Sequence, residues 1–292
     1  MTRRVVVLGD VMLDVAVQPT AALAPSSDTP ANIRVTRGGS GANVAIALRA
    51  SGHEVLYVGA GGRDRAHDVF VSALRYANVT PLLESIEGST GTVVSIVASD
   101  GQRSMLTDRG VNSRLSETFV AARLEEPFDH LHVSGYLLLD SATRSIGVGA
   151  LALARRRGSS TSVDVCSVAP LREVTPPKFL EAAAGASMLF SNEEEALTLT
   201  SKDDVENALD VLGSLFDEVV ITVGARGALG ARGADRFRAG ASNGPVVDTT
   251  GAGDAVTGTY LGERLNGEEP PAALEAAMLA AAHVVSGLGA IG

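Results

Sequence analysis

The chain has 292 residues, 45% hydrophobic and 20% charged with no low-complexity tract, which excludes a disordered chain and leaves room for a large core. Twenty-four basic residues against 34 acidic ones give a formal charge of −10, excluding the phosphate-tracking surface of a nucleic-acid binder. The single cysteine, Cys166, permits no intramolecular disulfide, and no Cys/His set has the spacing of a structural zinc site, so Cys166 is expected to pack.

Met1 to Val7 is a short basic start that runs straight into a strand-like run, not a signal peptide. No apolar run reaches the roughly 20 residues of a membrane span, and the chain is expected to be cytoplasmic, with no membrane or nucleic-acid partner. Arg4 to Leu8 is β-branched and apolar and ends at Gly9-Asp10, as expected of a buried strand whose carboxyl end opens into a loop. After Asp14, the residues Pro19, Pro25, Ser26, Ser27 and Pro30 interrupt the pattern before the strand-like Ile33 to Thr36, so this stretch reads as an excursion from the core. Gly38 to Gly41 forms a glycine-rich turn, and the small and apolar residues of Ala42 to Ala50 predict a helix. Gly91 to Thr107 alternates Val94, Ile96 and Ala98 with Ser95, Val97 and Ser99 around the hairpin signal Asp100-Gly101, and could pair with the first excursion.

From there strands and helices alternate. Strands are predicted at His130 to Val133, Ser160 to Val165, Met188 to Ser191 and Glu218 to Thr222. Helices are predicted near Ser141 to Arg156, Lys178 to Ala184 and Val205 to Leu215, with a long one after Gly251. Such alternation implies an α/β fold with a mostly parallel sheet covered on both faces, whose ligands sit beyond the carboxyl ends of the strands. No internal repeat or linker divides residues 1–292, which read as one domain.

The chemistry concentrates in Asp248-Thr249-Thr250-Gly251-Ala252-Gly253-Asp254, followed by a helix-compatible run. Small residues at a helix start let successive N–H groups converge on an anion, reinforced by the helix dipole. Asp254 at the end of this nest is a candidate general base for a hydroxyl attacking phosphorus; the bland alternative is a first-turn acid of an ordinary helix.

This run resembles the carboxyl-terminal signature of the ribokinase-like (PfkB) carbohydrate kinase family. Gly38-Gly39-Ser40-Gly41-Ala42-Asn43-Val44-Ala45 resembles its amino-terminal signature, and Gly9-Asp10 with Asp14 its opening element. The resemblance spans the whole chain in order and implies a ribokinase-like three-layer sandwich with a small β lid, here near residues 15–37 and 91–107. It further implies ATP-dependent phosphoryl transfer to a hydroxyl of a sugar-like substrate, with Asp254 as catalytic base and amides around Gly251, Ala252 and Gly253 holding the transferred group. Asp14 and Asn43 would bind substrate hydroxyls, with Gly38 and Gly39 admitting the substrate to the backbone. Asn192 and Glu195 resemble the family's Asn-x-x-Glu element, which positions Mg²⁺ largely through water; without the resemblance they form a helix cap. Thr222, Gly224 and Gly227 resemble its nucleotide loop, and His283 with Ser286 to Ala290 its adenine pocket. Asp248 and Thr250 match positions that hold a monovalent cation, although the segment up to Gly292 is short for a complete cation loop, and K⁺ stays open. Arg109, in a segment resembling the family's Arg-Gly-Ala-Asn, could bind an acidic substrate through its fork or form an ion pair. Asp164 falls near the family's substrate and phosphate region. Members of the family also join through the lid, which makes a homodimer an expectation. A nucleoside kinase and a non-catalytic ligand binder remain alternatives on the same fold. A nicotinamide dehydrogenase is disfavoured because Leu8 leads into Gly9-Asp10 without a second glycine.

Overall fold

The β-branched run Arg4–Leu8 forms strand β1 at the centre of the molecule in a computed structural model that describes residues 2–97, 103–241 and 249–286. Strands β2 (Met12–Pro19) and β3 (Ala31–Gly38) leave the core, and the chain returns through helix α1 (Ser40–Ala50), strand β4 (Glu54–Gly61), helix α2 (Arg65–Tyr76) and strand β5 (Thr80–Ser85). A second excursion, β6 (Gly91–Val97) and β7 (Arg103–Asp108), leads to α3 (Glu117–Arg123), β8 (His130–Ser134), α4 (Gly135–Leu139) and α5 (Arg144–Arg156). Then follow β9 (Ser160–Asp164), α6 (Val168–Val174), α7 (Pro176–Ala183), β10 (Met188–Asn192), α8 (Glu193–Thr200), α9 (Val205–Gly213) and β11 (Glu218–Thr222). The hairpin β12 (Ala228–Arg232) and β13 (Asp235–Ala239), then α10 (Ala252–Asn266) and α11 (Pro270–Ser286), complete the described chain.

Among the described residues nine strands form one sheet in the order β13-β12-β11-β10-β9-β8-β1-β4-β5. Pairing is parallel from β5 to β11 and antiparallel only at the β12–β13 edge. Successive residues of β1 face opposite layers: Val6 and Leu8 join the core with β8 and α5, while Val5 and Val7 join the core with α1, α10 and α11. That alternation, in strands apolar on both faces, is why helices cover the sheet twice. The chain winds from β1 toward β4 and β5, then resumes at β8 on the other side of β1, so a crevice opens between the carboxyl ends of β1 and β8.

The two excursions pair as the sequence suggested, giving a four-stranded sheet of order β3-β2-β6-β7 in which β2 and β6 run parallel. The strand begins at Met12, earlier than the expected residue 15, and the Asp100-Gly101 signal lies outside the described residues. The helix expected near Ser141 to Arg156 is α5, and a short helix the sequence did not suggest, α4, precedes it; between them the Asp140 carboxylate accepts from Ala142 N–H at 2.8 Å in a turn. The segment 54–85, read as no element, contains β4, α2 and β5; α2 is capped by Asp64, whose side chain accepts from His67 N–H, and buries only Phe70 and Leu74. No helix among the described residues is long and apolar enough to cross a membrane.

Candidate active site

Helices α1 and α10 both begin at the edge of the sheet where the crevice opens, capped by Gly39 (φ 94°) and Gly251 (φ 79°). They lie against each other so closely that a Cβ on Gly258 would come within 2.5 Å of both the Ala47 Cβ and the Val44 carbonyl oxygen. This approach joins their first turns, 214 residues apart in sequence. Asp254 accepts from Ser40 Oγ at 2.6 Å through Oδ1 and from Asn43 Nδ2 at 2.7 Å through Oδ2. Asn43 Oδ1 in turn accepts from Arg37 Nη1. Burial pushes the Asp254 carboxyl above the usual carboxylate range, against the pull of the two hydrogen bonds and of Arg37.

Asp14 projects from β2 into the same space. A Cβ on Gly38 would fall 1.9 Å from Asp14 Oδ1, so glycine at this position leaves room for the carboxylate. Burial raises Asp14 to about 6; Arg37 pulls it down and Asp254 pushes it up. Two further carboxyls meet at the other end: Asp164 at the tip of β9 and Glu195 in the first turn of α8, only 3% exposed. Burial raises both, and the Asp254 charge adds to it. Asn192 and Glu195 form a reciprocal cap, with Glu195 N–H donating to Asn192 Oδ1 and Asn192 N–H to Glu195 Oε2, each at 2.9 Å.

These groups line one cleft of ≈ 1340 Å³. A single-ligand pocket holds roughly 300–1,000 Å³, so the cleft has room for two reactants side by side. Of the sequence candidates, Asp14, Gly39, Asn43, Arg109, Asp164, Asn192, Glu195, Thr222, Thr250, Gly251, Gly253 and Asp254 line it. Gly38 and Ala252 are not in the lining, and the Ala252 N–H closes its own turn on Thr249 O at 3.2 Å. Gly224 and Gly227 are not in the lining, and a Cβ on Gly227 would strike Ala239 O at 2.0 Å, so Gly227 serves the turn itself. His283 is exposed on α11 outside the lining. Asp248 and residues 287–290 lie outside the described residues.

Arg109 takes the ion-pair alternative. Its Nε and Nη2 donate to the two Asp10 oxygens at 3.0 and 2.7 Å, and Nη1 donates to Asp140. Cys166 lines the cleft instead of only packing, at φ 74°, with Sγ 3.8 Å from Ser40 Oγ. Sequence reasoning gave no role to Ser40, Arg37, Asp10 or Asp140. Ser40 and Asp10 sit inside the motifs and could have been singled out there; nothing around Asp140 marks it.

The donor set suits a magnesium nucleotide. Buried carboxyls at Asp164 and Glu195 ionise together at low cost only beside a cation, and their oxygens are the hard ligands Mg²⁺ prefers. Among the described residues no three His, Cys, Asp or Glu side chains converge to chelate a metal directly.

The chain is 30% identical over 299 residues to the bifunctional protein HldE of Pseudomonas paraeruginosa, covering 98% of this chain but 60% of that longer protein. Its fold superposes on the adenosine kinase of Sinorhizobium meliloti with TM-score 0.88 at 24% identity, covering 99% of this chain and 95% of that one. It superposes on Arabidopsis thaliana ribokinase, solved with ribose and ATP, with TM-score 0.83 at 23% identity, covering 99% and 95%. The sequence profile of the pfkB family carbohydrate kinases matches residues 2–292, and the chain belongs to that family.

Proposed function

We propose that the chain moves the γ-phosphoryl group of ATP onto a hydroxyl of a sugar-like acceptor. The observation that carries this reading is the Asp254 carboxylate, fixed by Ser40 and Asn43 at the start of α10 in the same cleft as Asp14. The acceptor hydroxyl would give its proton to Asp254 as its oxygen bonds to phosphorus and the bond to ADP breaks. Burial raises the Asp254 carboxyl, which makes its carboxylate a stronger base than that of an ordinary surface aspartate. Asp14 and Asn43 would hold neighbouring hydroxyls, with Gly39 at the backbone beneath them. Gly253 and Asp254 line the cleft at the start of α10, where their amides would meet the transferred group and the helix dipole would add to them. Asn192 and Thr222 would line the nucleotide, with Gly224 and Gly227 shaping the loop that follows Thr222. Glu195 would hold Mg²⁺ through water; the cation would balance the charge of the triphosphate. Thr250 and Asp248 are the positions for K⁺. The lone cysteine supports a cytoplasmic setting.

The whole chain would act as one unit in which the β3-β2-β6-β7 sheet covers the acceptor. Asp14, Val93, Met105 and Thr107 on one face of that sheet line the cleft. The rows Val35-Val15-Val94-Leu106 and Ile33-Val17-Ile96-Ser104 on the other face carry no charge, and Ile33, Val35 and Leu106 are more than half exposed. Two copies meeting through these two uncharged rows would suffer no like-charge repulsion there, so a homodimer through the lid is part of the proposal. Light scattering should give twice the chain mass, and Val35→Glu the single mass; an unchanged mass in the variant refutes the lid interface.

The experiment for the activity is ADP release from Mg·ATP across sugars, sugar acids and nucleosides. Sugar-dependent release is expected. Release with nucleosides alone would move the assignment to a nucleoside kinase, and none across the panel would leave a ligand binder.

A further inference from the structure

Resting on the kinase reading, we infer that the acceptor is a neutral polyol, and that Asp140 sets this preference by occupying, from within the chain, the anion seat Arg109 would otherwise offer. A guanidinium recognises a carboxylate or phosphate by pointing two parallel N–H donors at its oxygens. Arg109 stands just past the end of β7, in the lining of the cleft, where such a donor pair would meet an acidic acceptor. Both of its usable edges are taken: Nε and Nη2 by Asp10 at 3.0 and 2.7 Å, and Nη1 by Asp140. The trio is held firmly. Asp10 is 7% exposed and the side chains of Arg109 and Asp140 22% each, while the other Asp140 oxygen accepts from Ala142 N–H at 2.8 Å in the turn between α4 and α5.

The remaining charge at this end points the same way. Asp10, Asp14, Asp140 and Asp254 gather around Arg109 and Arg37, so carboxyls outnumber guanidinium groups two to one. Arg37 gives Nη1 to Asn43. An acceptor bearing a phosphate or carboxylate would bring negative charge to carboxylates and find no open fork. Hydroxyl groups, by contrast, are donors and find oxygens to accept from. The other lining cations, Arg144 and Lys178, come from α5 and α7; Arg144 spends Nε and Nη2 on the carbonyls of Leu138 and Leu139 at 2.7 and 3.2 Å. Asp140 is thus a positioning residue: it acts on the acceptor through Arg109.

The test compares matched acceptors with Mg·ATP: D-ribose with ribose 5-phosphate, D-fructose with fructose 6-phosphate, and D-glucose with D-gluconate. The neutral member of a pair should have the higher kcat/KM in the wild type. Asp140→Asn keeps the oxygen that caps Ala142 and turns an amide donor toward Arg109; it should shift the anionic-to-neutral ratio by about tenfold or more toward the anion. A merely structural role would lower both members alike and leave the ratio unmoved. Asp140→Ser, which keeps a capping oxygen, serves if the asparagine variant does not fold. A second readout needs no turnover. With a non-hydrolysable Mg·ATP analogue filling the nucleotide site, added inorganic phosphate should raise the melting temperature of the Asp140 variant and not of the wild type. A wild type that prefers the anionic member, or a variant that changes neither the ratio nor the phosphate response, overturns the proposal. Absence of ADP release with every acceptor refutes the kinase reading alone, because the phosphate titration still decides the role of Asp140.

Discussion

Asp254 accepts from Ser40 through one oxygen and from Asn43 through the other, and each bond draws its proton affinity down against the upward push of burial. Removing one donor releases part of that restraint. Ser40→Ala should therefore raise the carboxyl further, moving the acid limb of the pH–kcat profile to higher pH. It should also lower kcat by about tenfold, the worth of one charge-assisted hydrogen bond. A limb that stays in place or moves to lower pH counts against Asp254 as the titrating base. At this scale the sequence was informative where glycine and acid fall in one run, since Asp14, Asn43 and Asp254 meet as the motifs imply. It was silent on partners. Nothing near Arg109 in sequence reveals that Asp10 and Asp140, 99 and 31 residues away, fill its fork, because ion pairs across a fold leave no periodic trace.

Between elements, the decisive contact is α10 on α1 at Gly258. Val44, Ala47 and Leu48 form the surface it meets, and the first turns stay in register only while the helix backbones nearly touch. Gly258→Val should push them apart, costing roughly 1–3 kcal/mol of stability in denaturant unfolding. It should reduce kcat more than the acceptor KM, because the base moves relative to Ser40 and Asn43. Stability loss with unchanged kcat would show that the register of α10 on α1 does not position the base. Helix α10 was legible from its glycine-rich start and apolar run. The short helix α4 was not, since Asp140 and Ala142 make the turn that ends it without glycine or proline. The hairpin β12–β13 was missed too: of β13 only Ala239 is buried, so no alternation marks it as a strand.

Over the whole molecule, the alternation of strands and helices gave the parallel sheet and its two covering layers, and the two polar excursions gave the second sheet. Hidden between them is a polar row on β8 and β9. His130 and His132 are buried against Ser160 and Ser162, with ring-to-hydroxyl distances of 2.7 to 2.9 Å. Burial lowers both to about 3, with the neighbouring histidine, His53 or His130, adding to it. In the unfolded chain they titrate near 6.5, so between pH 6.5 and 3 the unfolded state binds more protons and stability falls as pH falls. Asp14, raised to about 6, works the other way between its ordinary value of 3.8 and 6, which makes a difference measurement the clean one. His132→Asn should lower the melting temperature at pH 7.5, and the gap to wild type should narrow as pH drops toward 4. A gap that widens contradicts a neutral, buried His132.

The central claim is that the Asp254 carboxylate takes the acceptor proton, and a single-turnover experiment tests it most directly. Wild type and Asp254→Asn are mixed with Mg·ATP and the best neutral acceptor, and sugar phosphate is followed by ³¹P NMR or quench. The account predicts nucleotide binding within about twofold of wild type and phosphoryl transfer slowed by about 10²–10⁴-fold. Transfer at a rate close to wild type in the asparagine variant would contradict it.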